Sequence, residues 1–211
     1  MKTILAYGDS LTYGADAGKP RHRYEDRWPT VLEQGLGGGA RVIAEGLGGR
    51  TTAFDDFSAV ADRNGARVLP TLLASHAPLD AVVIMLGTND LKPYICGSAL
   101  GAAMGIKRLV EIVRTYPYDQ WTQVPQVVIV APPHAVETEH ADLKPMFAGG
   151  VAESKLFAVH YGRIARELGC AFFDASTEAV ATPIDGVHLD AKNTRAIGEG
   201  LVPIVKSVLG L

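Results

Sequence analysis

Two short polar segments of the sequence carry side chains that together could transfer an acyl group. Residues 8–10 read Gly-Asp-Ser, and residues 185–188 read Asp-Gly-Val-His. A serine hydroxyl is a weak nucleophile at neutral pH, so it needs a base within hydrogen-bond reach and a third group that orients the base. We therefore predict that Ser10 is the nucleophile, that His188 is the base and that Asp185 orients it. Gly186 permits the sharp turn that would bring the carboxylate back to the ring.

Acyl transfer also requires hydrogen-bond donors for the negative charge that develops on the carbonyl oxygen. The sequence offers three candidate donors: the backbone N–H of Ser10, the backbone N–H of Gly49 at the end of a glycine-rich segment, and the side-chain amide of Asn89 within Gly-Thr-Asn-Asp at 87–90. Each segment alone is also compatible with an ordinary turn or a helix cap. The prediction rests on their combination.

Five apolar stretches predict the β-strands that would position these segments. They are Thr3–Tyr7, Arg41–Ala44, Ala81–Leu86, Gln126–Ala131 and Cys170–Phe173. The third and fourth stretches are apolar at nearly every position, which indicates strands covered on both faces, as in a parallel sheet. The candidate segments follow the first, second, third and fifth strands.

Helical periodicity fills the intervals between the strands. The predicted apolar faces are Trp28, Val31, Leu32 and Leu36; Leu69, Leu72, Leu73 and His76; Met104, Leu109, Val110 and Val113; Leu156, Val159, His160, Ile164 and Leu168; and Ile197, Leu201, Val205 and Val208. Ser98 and Asp190 are predicted caps, Gly169 is a predicted helix end, and Pro70 is expected in a first turn or at a kink. The alternation predicts one α/β domain over 1–211, a flavodoxin-like three-layer sandwich with a five-stranded parallel sheet and a site at the carboxyl ends of the strands.

Composition indicates which kinds of binding partner and which cellular compartment to expect. The 211 residues carry a net charge of only −3 and no basic stripe, which disfavours a nucleic-acid partner. The two cysteines, Cys96 and Cys170, are far apart and lack metal-ligand spacing, so we expect free thiols, a reducing compartment and neither metal nor cofactor. The apolar stretch near the start is too short for a signal peptide, and no run is long enough to cross a bilayer. We therefore expect a cytoplasmic protein without a membrane partner.

Further residues are assigned by their position near the predicted rim. Leu11, Tyr13, Thr88 and Phe147 are predicted to contact substrate. Residues 132–150 form a long connection that is typical of a lid or an interface arm. Of the other histidines, His76 and His160 lie on apolar helix faces, whereas three in polar loops are expected to be solvated: His22, His134 and His140.

Taken together, the polar segments resemble the four ordered sequence blocks of the GDSL/SGNH hydrolase family, which are esterases and lipases of flavodoxin-like fold. The blocks are Gly-Asp-Ser-Leu at 8–11, the glycine block ending at 49, Gly-Thr-Asn-Asp at 87–90, and Asp-Gly-Val-His at 185–188. The resemblance implies the same nucleophile, base, orienting group and three oxyanion donors as above. The Gly-x-Ser-x-Gly elbow of the α/β-hydrolases is absent.

A narrower likeness is to the bacterial arylesterases of this family, carried by residues 45–52 and 85–90. It implies a metal-independent esterase for short acyl groups, acetyl above all, on aryl or other small alcohols. Some members of that group transfer acyl groups to alcohols, and some form homo-oligomers, so the resemblance implies both as further properties.

Three alternatives stay open at this level. Acetylated carbohydrates could be deacetylated with the same three residues. A metal-dependent phosphoesterase could use Asp9, Asn89, Asp185 and His188 as ligands of a hard metal ion, although it lacks the further histidines common in such sites. A non-catalytic binding module on the same scaffold would leave the Ser-His-Asp set unexplained.

Overall fold

The computed structural model describes residues 1–211, in which strands and helices alternate. The strands are β1 (Lys2–Gly8), β2 (Ala40–Gly46), β3 (Ala81–Met85), β4 (Gln126–Ala131) and β5 (Ala171–Asp174). All four pairings are parallel, and the strand order is β2-β1-β3-β4-β5. The predicted five-stranded parallel sheet is confirmed, with strand ends displaced by no more than two residues.

Eight α-helices and three 3₁₀ helices connect the strands. The α-helices are α1 (Ser10–Tyr13), α2 (Trp28–Gly35), α3 (Gly65–His76), α4 (Ala99–Thr115), α5 (Leu143–Met146), α6 (Gly150–Ser154), α7 (Phe157–Leu168) and α8 (Ala191–Leu209). The 3₁₀ helices span Tyr24–Asp26, Thr88–Leu91 and Ala175–Thr177. None of the helices is both long and apolar enough to cross a membrane.

The sheet separates two apolar cores, which confirms the three-layer sandwich. On one face, alternate strand residues such as Leu5 and Ile84 pack with α3, α4 and α7. On the other face, their neighbours Ile4 and Val83 pack with α2 and α8. Successive strand residues point to opposite faces, so a strand buried on both sides must be apolar at every position. This is the physical reason for the continuous apolar runs in the sequence.

The strand order places a topological switch point between β1 and β3. The chain passes from β1 to β2 on one side and then returns to add β3 on the other side. Gly8, at the end of β1, lies level with Gly46 of β2 and with Met85 of β3. The segments that follow these three strands therefore emerge side by side at one edge, where ligands bind in open α/β sheets.

Helix ends follow the predicted caps. Ser98 Oγ accepts a hydrogen bond from the Gly101 N–H at 3.1 Å, and Asp190 Oδ1 accepts one from the Asn193 N–H at 2.8 Å. Gly169 ends α7 in the left-handed conformation. Of the two predicted places for Pro70, the first turn is wrong, because α3 begins at Gly65 under an Asn64 cap and Pro70 therefore lies in the second turn.

The predicted apolar face of α7 is wrong in part. Leu156 precedes the helix with 42% of its surface exposed, and Val159 is 66% exposed. The buried face carries the predicted Ile164 together with Phe157 and Tyr161, which were not predicted. Tyr161 decides the orientation, since its hydroxyl donates a 2.9 Å hydrogen bond to the carbonyl of Leu86, directly after β3. A prediction from apolar periodicity does not take into account an aromatic side chain whose hydroxyl has a buried hydrogen-bond partner. Met104 of α4 is likewise more exposed than its predicted place on the apolar face requires.

Candidate active site

Ser10 lies at the turn from β1 into α1, and it is the first residue of that helix. The preceding residue, Asp9, caps the helix, because its Oδ1 accepts a 2.9 Å hydrogen bond from the Leu11 N–H. Burial raises the pKa of the Asp9 carboxyl to about 6, although the hydrogen bond from Leu11 and the nearby cations oppose this rise. Asp9 thus has a structural role at the turn, and Ser10 is left with its hydroxyl directed elsewhere.

His188 and Asp185 lie in the connection between β5 and α8. Asp185 Oδ1 accepts hydrogen bonds from the N–H groups of Val187 at 3.0 Å and His188 at 2.8 Å. Its Oδ2 lies 2.5 Å from His188 Nδ1. Gly186 has a φ of +81°, and a Cβ there would lie 2.7 Å from the Val136 carbonyl oxygen. Only glycine satisfies both demands, so this position is specified by the backbone of the turn.

The two halves of the site meet across the sheet edge. Ser10 Oγ and His188 Nε2 are 2.9 Å apart although the residues are separated by 178 positions in the chain. A carboxylate can only accept, so the neutral ring donates through Nδ1 to Asp185 and presents Nε2 as an acceptor to the Ser10 hydroxyl. This arrangement is capable of withdrawing the serine proton.

The charge state of Asp185 supports the same tautomer. Partial burial works to raise the pKa of this carboxyl, but the hydrogen bonds from the His188 ring and from the backbone N–H groups of Val187 and His188 lower it below the ordinary range. The carboxylate therefore stays ionised at neutral pH and keeps accepting from His188.

The three predicted donors line the same cleft as Ser10 and His188. The backbone N–H groups of Ser10 and Gly49 donate to no group within the protein. Gly49 adopts a φ of +81°, which a side chain would disfavour. The Asn89 amide is oriented by a 3.2 Å hydrogen bond to the Arg50 carbonyl, with a longer 3.5 Å contact to Asp9 Oδ2.

Buried polar residues that the sequence reasoning did not assign hold these loops. Arg50 donates from Nη1 to the Gly8 carbonyl at 2.8 Å and to the Glu45 carbonyl, with its guanidinium carbon 4.4 Å from the centre of the Tyr7 ring. Asp90 accepts from the backbone N–H and the hydroxyl of Thr52. The polar run 50–52, directly after the glycine block, was a visible signal in the sequence, but two of its partners, Gly8 and Asp90, belong to segments distant in the chain.

A cleft of about 530 Å³ opens over Ser10 and His188. Of the predicted substrate contacts, Tyr13 and Phe147 line this cleft. Leu11 does not, because it packs into the core between the sheet and α2. Thr88 is also buried and does not line it. Residues 132–150 contribute a wall through Leu143, Met146 and Phe147, and the sequence reasoning also missed Arg63, Lys92 and Val187 in the lining.

The expectation that His22 is solvated is wrong. Only 4% of its surface is exposed. Its Nε2 lies 3.1 Å from the Leu189 carbonyl, and its Nδ1 lies 3.2 Å from Asp16 Oδ2. The loop after α1 pairs with the chain at Leu189, which buries a histidine whose local sequence is polar. His22 therefore braces the backbone next to His188.

The ligand set of the alternative metal site is already engaged. Asp185 accepts from His188 and two N–H groups, and Asp9 accepts from Leu11. No three His, Cys, Asp or Glu side chains are grouped so that they could hold a metal ion. Ser10 and His188 are in direct contact with each other.

Comparisons with known proteins show which family and which solved structures the chain is similar to. The sequence model of the GDSL-like lipase/acylhydrolase family matches residues 6–195. A comparison with curated proteins finds no match. Among solved structures, the chain is similar to a carbohydrate acetylesterase family member from Sinorhizobium meliloti at 58% identity, with 100% of each chain covered and a TM-score of 0.98.

Two further solved structures show the same likeness at lower identity. One is the aryl esterase of M. smegmatis, at 38% identity and a TM-score of 0.92. The other is a carbohydrate acetylesterase from Sinorhizobium meliloti, at 36% identity and a TM-score of 0.92. In both cases the alignment covers 99% of this chain and 100% of the other. Because the family match spans most of the chain, from β1 to the start of α8, the protein belongs to the GDSL-like lipase/acylhydrolase family and is a carboxylic ester hydrolase.

Proposed function

We propose that the protein is a serine esterase that cleaves short acyl esters, acetyl esters above all, of aryl or other small alcohols through an acyl-enzyme at Ser10. The observation that carries the proposal is the 2.9 Å contact between Ser10 Oγ and His188 Nε2, backed by the Asp185 carboxylate on the other ring nitrogen. A hydroxyl, a base and an orienting carboxylate in this order form the arrangement that serine hydrolases share.

In the acylation step, Ser10 Oγ attacks the ester carbonyl carbon while His188 Nε2 accepts the hydroxyl proton. Asp185 stabilises the imidazolium that forms. The tetrahedral intermediate then collapses, the bond to the alcohol oxygen breaks, and His188 returns the proton to that oxygen. The alcohol leaves, and the acyl group remains on Ser10.

In the deacylation step, water takes the place of the alcohol. His188 accepts a proton from the water as its oxygen attacks the acyl carbon, and then donates that proton to Ser10 Oγ as the acid is released. An added alcohol in the same position would accept the acyl group, so we propose acyl transfer as a side activity.

The oxyanion of both intermediates would accept hydrogen bonds from the N–H groups of Ser10 and Gly49 and from the Asn89 amide. The two backbone donors have no competing partner in the protein. The Asn89 amide would exchange its long contact with Asp9 for the oxyanion, while its hydrogen bond to the Arg50 carbonyl keeps it in place. Donors that are already oriented need no reorganisation when the charge appears.

The names of the solved relatives support two classes of alcohol in the ester substrate, aryl alcohols and carbohydrates. One relative is an aryl esterase, and two are carbohydrate acetylesterases. The apolar wall of Leu143, Met146 and Phe147 favours an aryl group, whereas Asn89, Arg63 and Lys92 in the same cleft favour an alcohol rich in oxygen. Deacetylation of carbohydrates is therefore our second candidate function, with the same catalytic residues.

A panel of substrates tests the function. We expect 4-nitrophenyl acetate to be cleaved faster than 4-nitrophenyl butyrate and far faster than 4-nitrophenyl octanoate. Comparing the turnover of 4-nitrophenyl acetate with that of peracetylated sugars shows whether aryl or sugar alcohols are preferred. Added methanol should divert part of the acetyl group to methyl acetate. Preference for the octanoate would contradict the short-acyl proposal.

Labelling tests the acyl-enzyme. Diethyl 4-nitrophenyl phosphate should add one diethylphosphoryl group to Ser10, detected by mass spectrometry, and abolish esterase activity. Ser10→Ala should stay folded, resist the label and lose turnover by roughly 10⁴-fold or more. An exposed serine, Ser75, serves as the matched control, since Ser75→Ala should be labelled and active like the parent. Full activity of Ser10→Ala would contradict the mechanism.

We also propose a homo-oligomer. This proposal is supported by two exposed apolar side chains in the segment between β2 and α3: Phe57 is 91% exposed and Val60 is fully exposed. Sedimentation velocity should give a mass above that of one 22.4 kDa chain, and Phe57→Ser should shift the distribution toward the monomer. A monomer at all concentrations would contradict this proposal.

A further inference from the structure

Lys92 directly follows the 3₁₀ helix Thr88–Leu91 and faces the candidate active site. Its backbone N–H donates to the Asn89 carbonyl three residues earlier. Residues three apart in a 3₁₀ turn lie on the same side of the chain. Accordingly, the side chains of Asn89 and Lys92 both line the cleft over Ser10.

The Lys92 ammonium lacks a partner. Only 5% of the residue is exposed, yet Nζ forms no hydrogen bond and no ion pair within the protein. The centre of the Phe147 ring lies 5.6 Å from Nζ. Burial lowers the pKa of this ammonium. The ammonium reaches the cleft and uses none of its donors within the protein, so an anion bound in the cleft is able to pair with it.

A second cation stands on the opposite loop of the same cleft. Arg63 donates from Nη1 to Asp56 at 2.8 Å and to Ser58, and its other nitrogens make no hydrogen bond. Its side chain packs against Gly49, where a Cβ would lie 2.4 Å from Arg63 Nε. The nearest acidic side chain, Asp56, is already paired with Arg63. The cleft therefore offers unused donors from two cations and no free carboxylate to meet them.

On the basis of the proposed esterase function, we infer that Lys92, with Arg63, binds a carboxylate on the alcohol part of the ester. An acetyl group has only three heavy atoms, which leaves most of the 530 Å³ cleft for the alcohol. The expected substrates are thus acetyl esters of hydroxy acids, including acetylated acidic sugars, in preference to their neutral counterparts. Lys92 is a specificity-determining residue in this view, because it discriminates between alcohols and takes no part in the proton transfers.

Lys92 could instead serve only to neutralise the negative charge of nearby carboxyls, and this role predicts a different effect of its removal on ester cleavage. The carboxyls of Asp56, Asp9 and Asp90 lie close enough to favour its charged form, with Asp56 having the largest effect. If Lys92 only balanced them, its removal would change the rates of anionic and neutral esters by the same factor. A ratio between two matched substrates therefore separates the two roles.

The experiment compares 3-acetoxybenzoate with methyl 3-acetoxybenzoate, which differ in the carboxylate alone. We expect the ratio of their kcat/KM values, anionic over neutral, to fall by about 10- to 100-fold in Lys92→Met, as for the loss of a charge-assisted hydrogen bond. Lys92→Arg should retain most of the preference. Lys107→Met, which removes an equal charge from the distant surface of α4, should leave the ratio unchanged. An unchanged ratio in Lys92→Met, whatever the absolute rates, would overturn the inference.

Calorimetry on the parent protein gives a second measurement that does not depend on turnover or on the stability of a variant. The product 3-hydroxybenzoate should bind at least about 10-fold more tightly than its methyl ester, and this advantage should shrink as salt is added. Equal affinities would overturn the inference while leaving the esterase proposal intact. Failure of the parent to cleave 4-nitrophenyl acetate would contradict the esterase proposal. In that case the calorimetric comparison would still show whether the cleft prefers a carboxylate.

Discussion

At the scale of single residues, the neighbouring Asp9 and Ser10 do different work. Asp9 turns inward and caps α1, whereas Ser10 turns outward to His188. The carboxylate that orients the histidine is Asp185, which comes from another loop. A residue adjacent to the proposed nucleophile in sequence is thus not its partner in space, because a strand-to-helix turn sends successive side chains in different directions.

Asp185→Asn should lower kcat by roughly 10⁴-fold with little change in fold. An amide nitrogen facing His188 Nδ1 would favour the tautomer in which Nε2 carries the proton, so the ring could no longer accept from Ser10. Esterase kinetics with thermal melting as the fold check measure this. Asp190→Asn is the matched control, because asparagine also caps helices well and should keep near-parent activity. Equal losses in both variants would contradict the role of Asp185.

Asn89→Ala should lower kcat by about 10²- to 10³-fold with a smaller effect on KM, as expected for a donor used mainly in the transition state. Asn193→Ala is the control, because the Asn193 side chain forms hydrogen bonds with Asp190 and Val180 on the surface. Steady-state kinetics on 4-nitrophenyl acetate measure kcat and KM for both variants. A KM effect alone would point to ground-state binding instead.

At the scale of elements, the loops over the sheet edge are held by buried polar ties. The Asp90 carboxylate joins the turn after β3 to Thr52 in the loop after β2, and Arg50 joins the latter loop to the end of β1. Each tie places one candidate oxyanion donor, Asn89 or Gly49, relative to Ser10. Since glycine-rich turns are intrinsically mobile, such ties supply the rigidity that a preorganised site requires.

The Asp90 tie has a predicted dependence on pH. Burial raises the pKa of this carboxyl to about 7, although hydrogen bonds from Thr52 oppose the rise. The folded protein therefore holds a proton that the unfolded chain has released above about pH 4. Folding stability should rise as the pH falls from about 7 toward 4, and the contribution should be lost as the pH rises through 7.

Urea denaturation at pH 5, 6.5 and 8 measures this dependence. Asp90→Asn removes the titrating group while keeping an oxygen for the Thr52 N–H. The parent should lose stability with rising pH more steeply than the variant, by up to about 1.4 kcal/mol per pH unit in this window. Asp9, whose pKa burial raises to about 6, titrates in both proteins, and its charge helps to raise the pKa of Asp90, so the difference between the two profiles includes this interaction. Parallel pH profiles would show that Asp90 does not bind the extra proton.

At the scale of the whole molecule, two cores on opposite faces of one sheet carry the stability. Leu73 of α3 is fully buried in one of them, whereas Leu100 of α4 is 47% exposed. Leu73→Ala should lower the free energy of unfolding by about 2–5 kcal/mol, and Leu100→Ala by less than about 1 kcal/mol. Both substitutions replace a helical leucine, so helix propensity changes equally in the two. Similar losses in denaturant unfolding would contradict the assignment of the core.

The fold was predictable from the sequence because its physical causes are local or repetitive. A strand buried on both faces must be apolar throughout, and each of β3 and β4 shows this directly. The caps at Ser98 and Asp190 depend on hydrogen bonds within three residues, so their side chains identify them. The face of α7 was less predictable, since its orientation depends on a bond from Tyr161 to Leu86, 75 positions earlier.

The sequence by itself determined which residue types are available for chemistry and that they follow strands of a parallel sheet. Their types and places after strands led to the prediction of Ser10, Asp185 and His188 as catalytic residues. Only the tertiary structure decided that Ser10 and His188 meet at 2.9 Å, that Leu11 and Thr88 lie away from the cleft, that His22 is buried, and that Lys92 enters the cleft without a partner. The reason is that these properties are set by contacts between segments distant in the chain, and local sequence contains no measure of such distances.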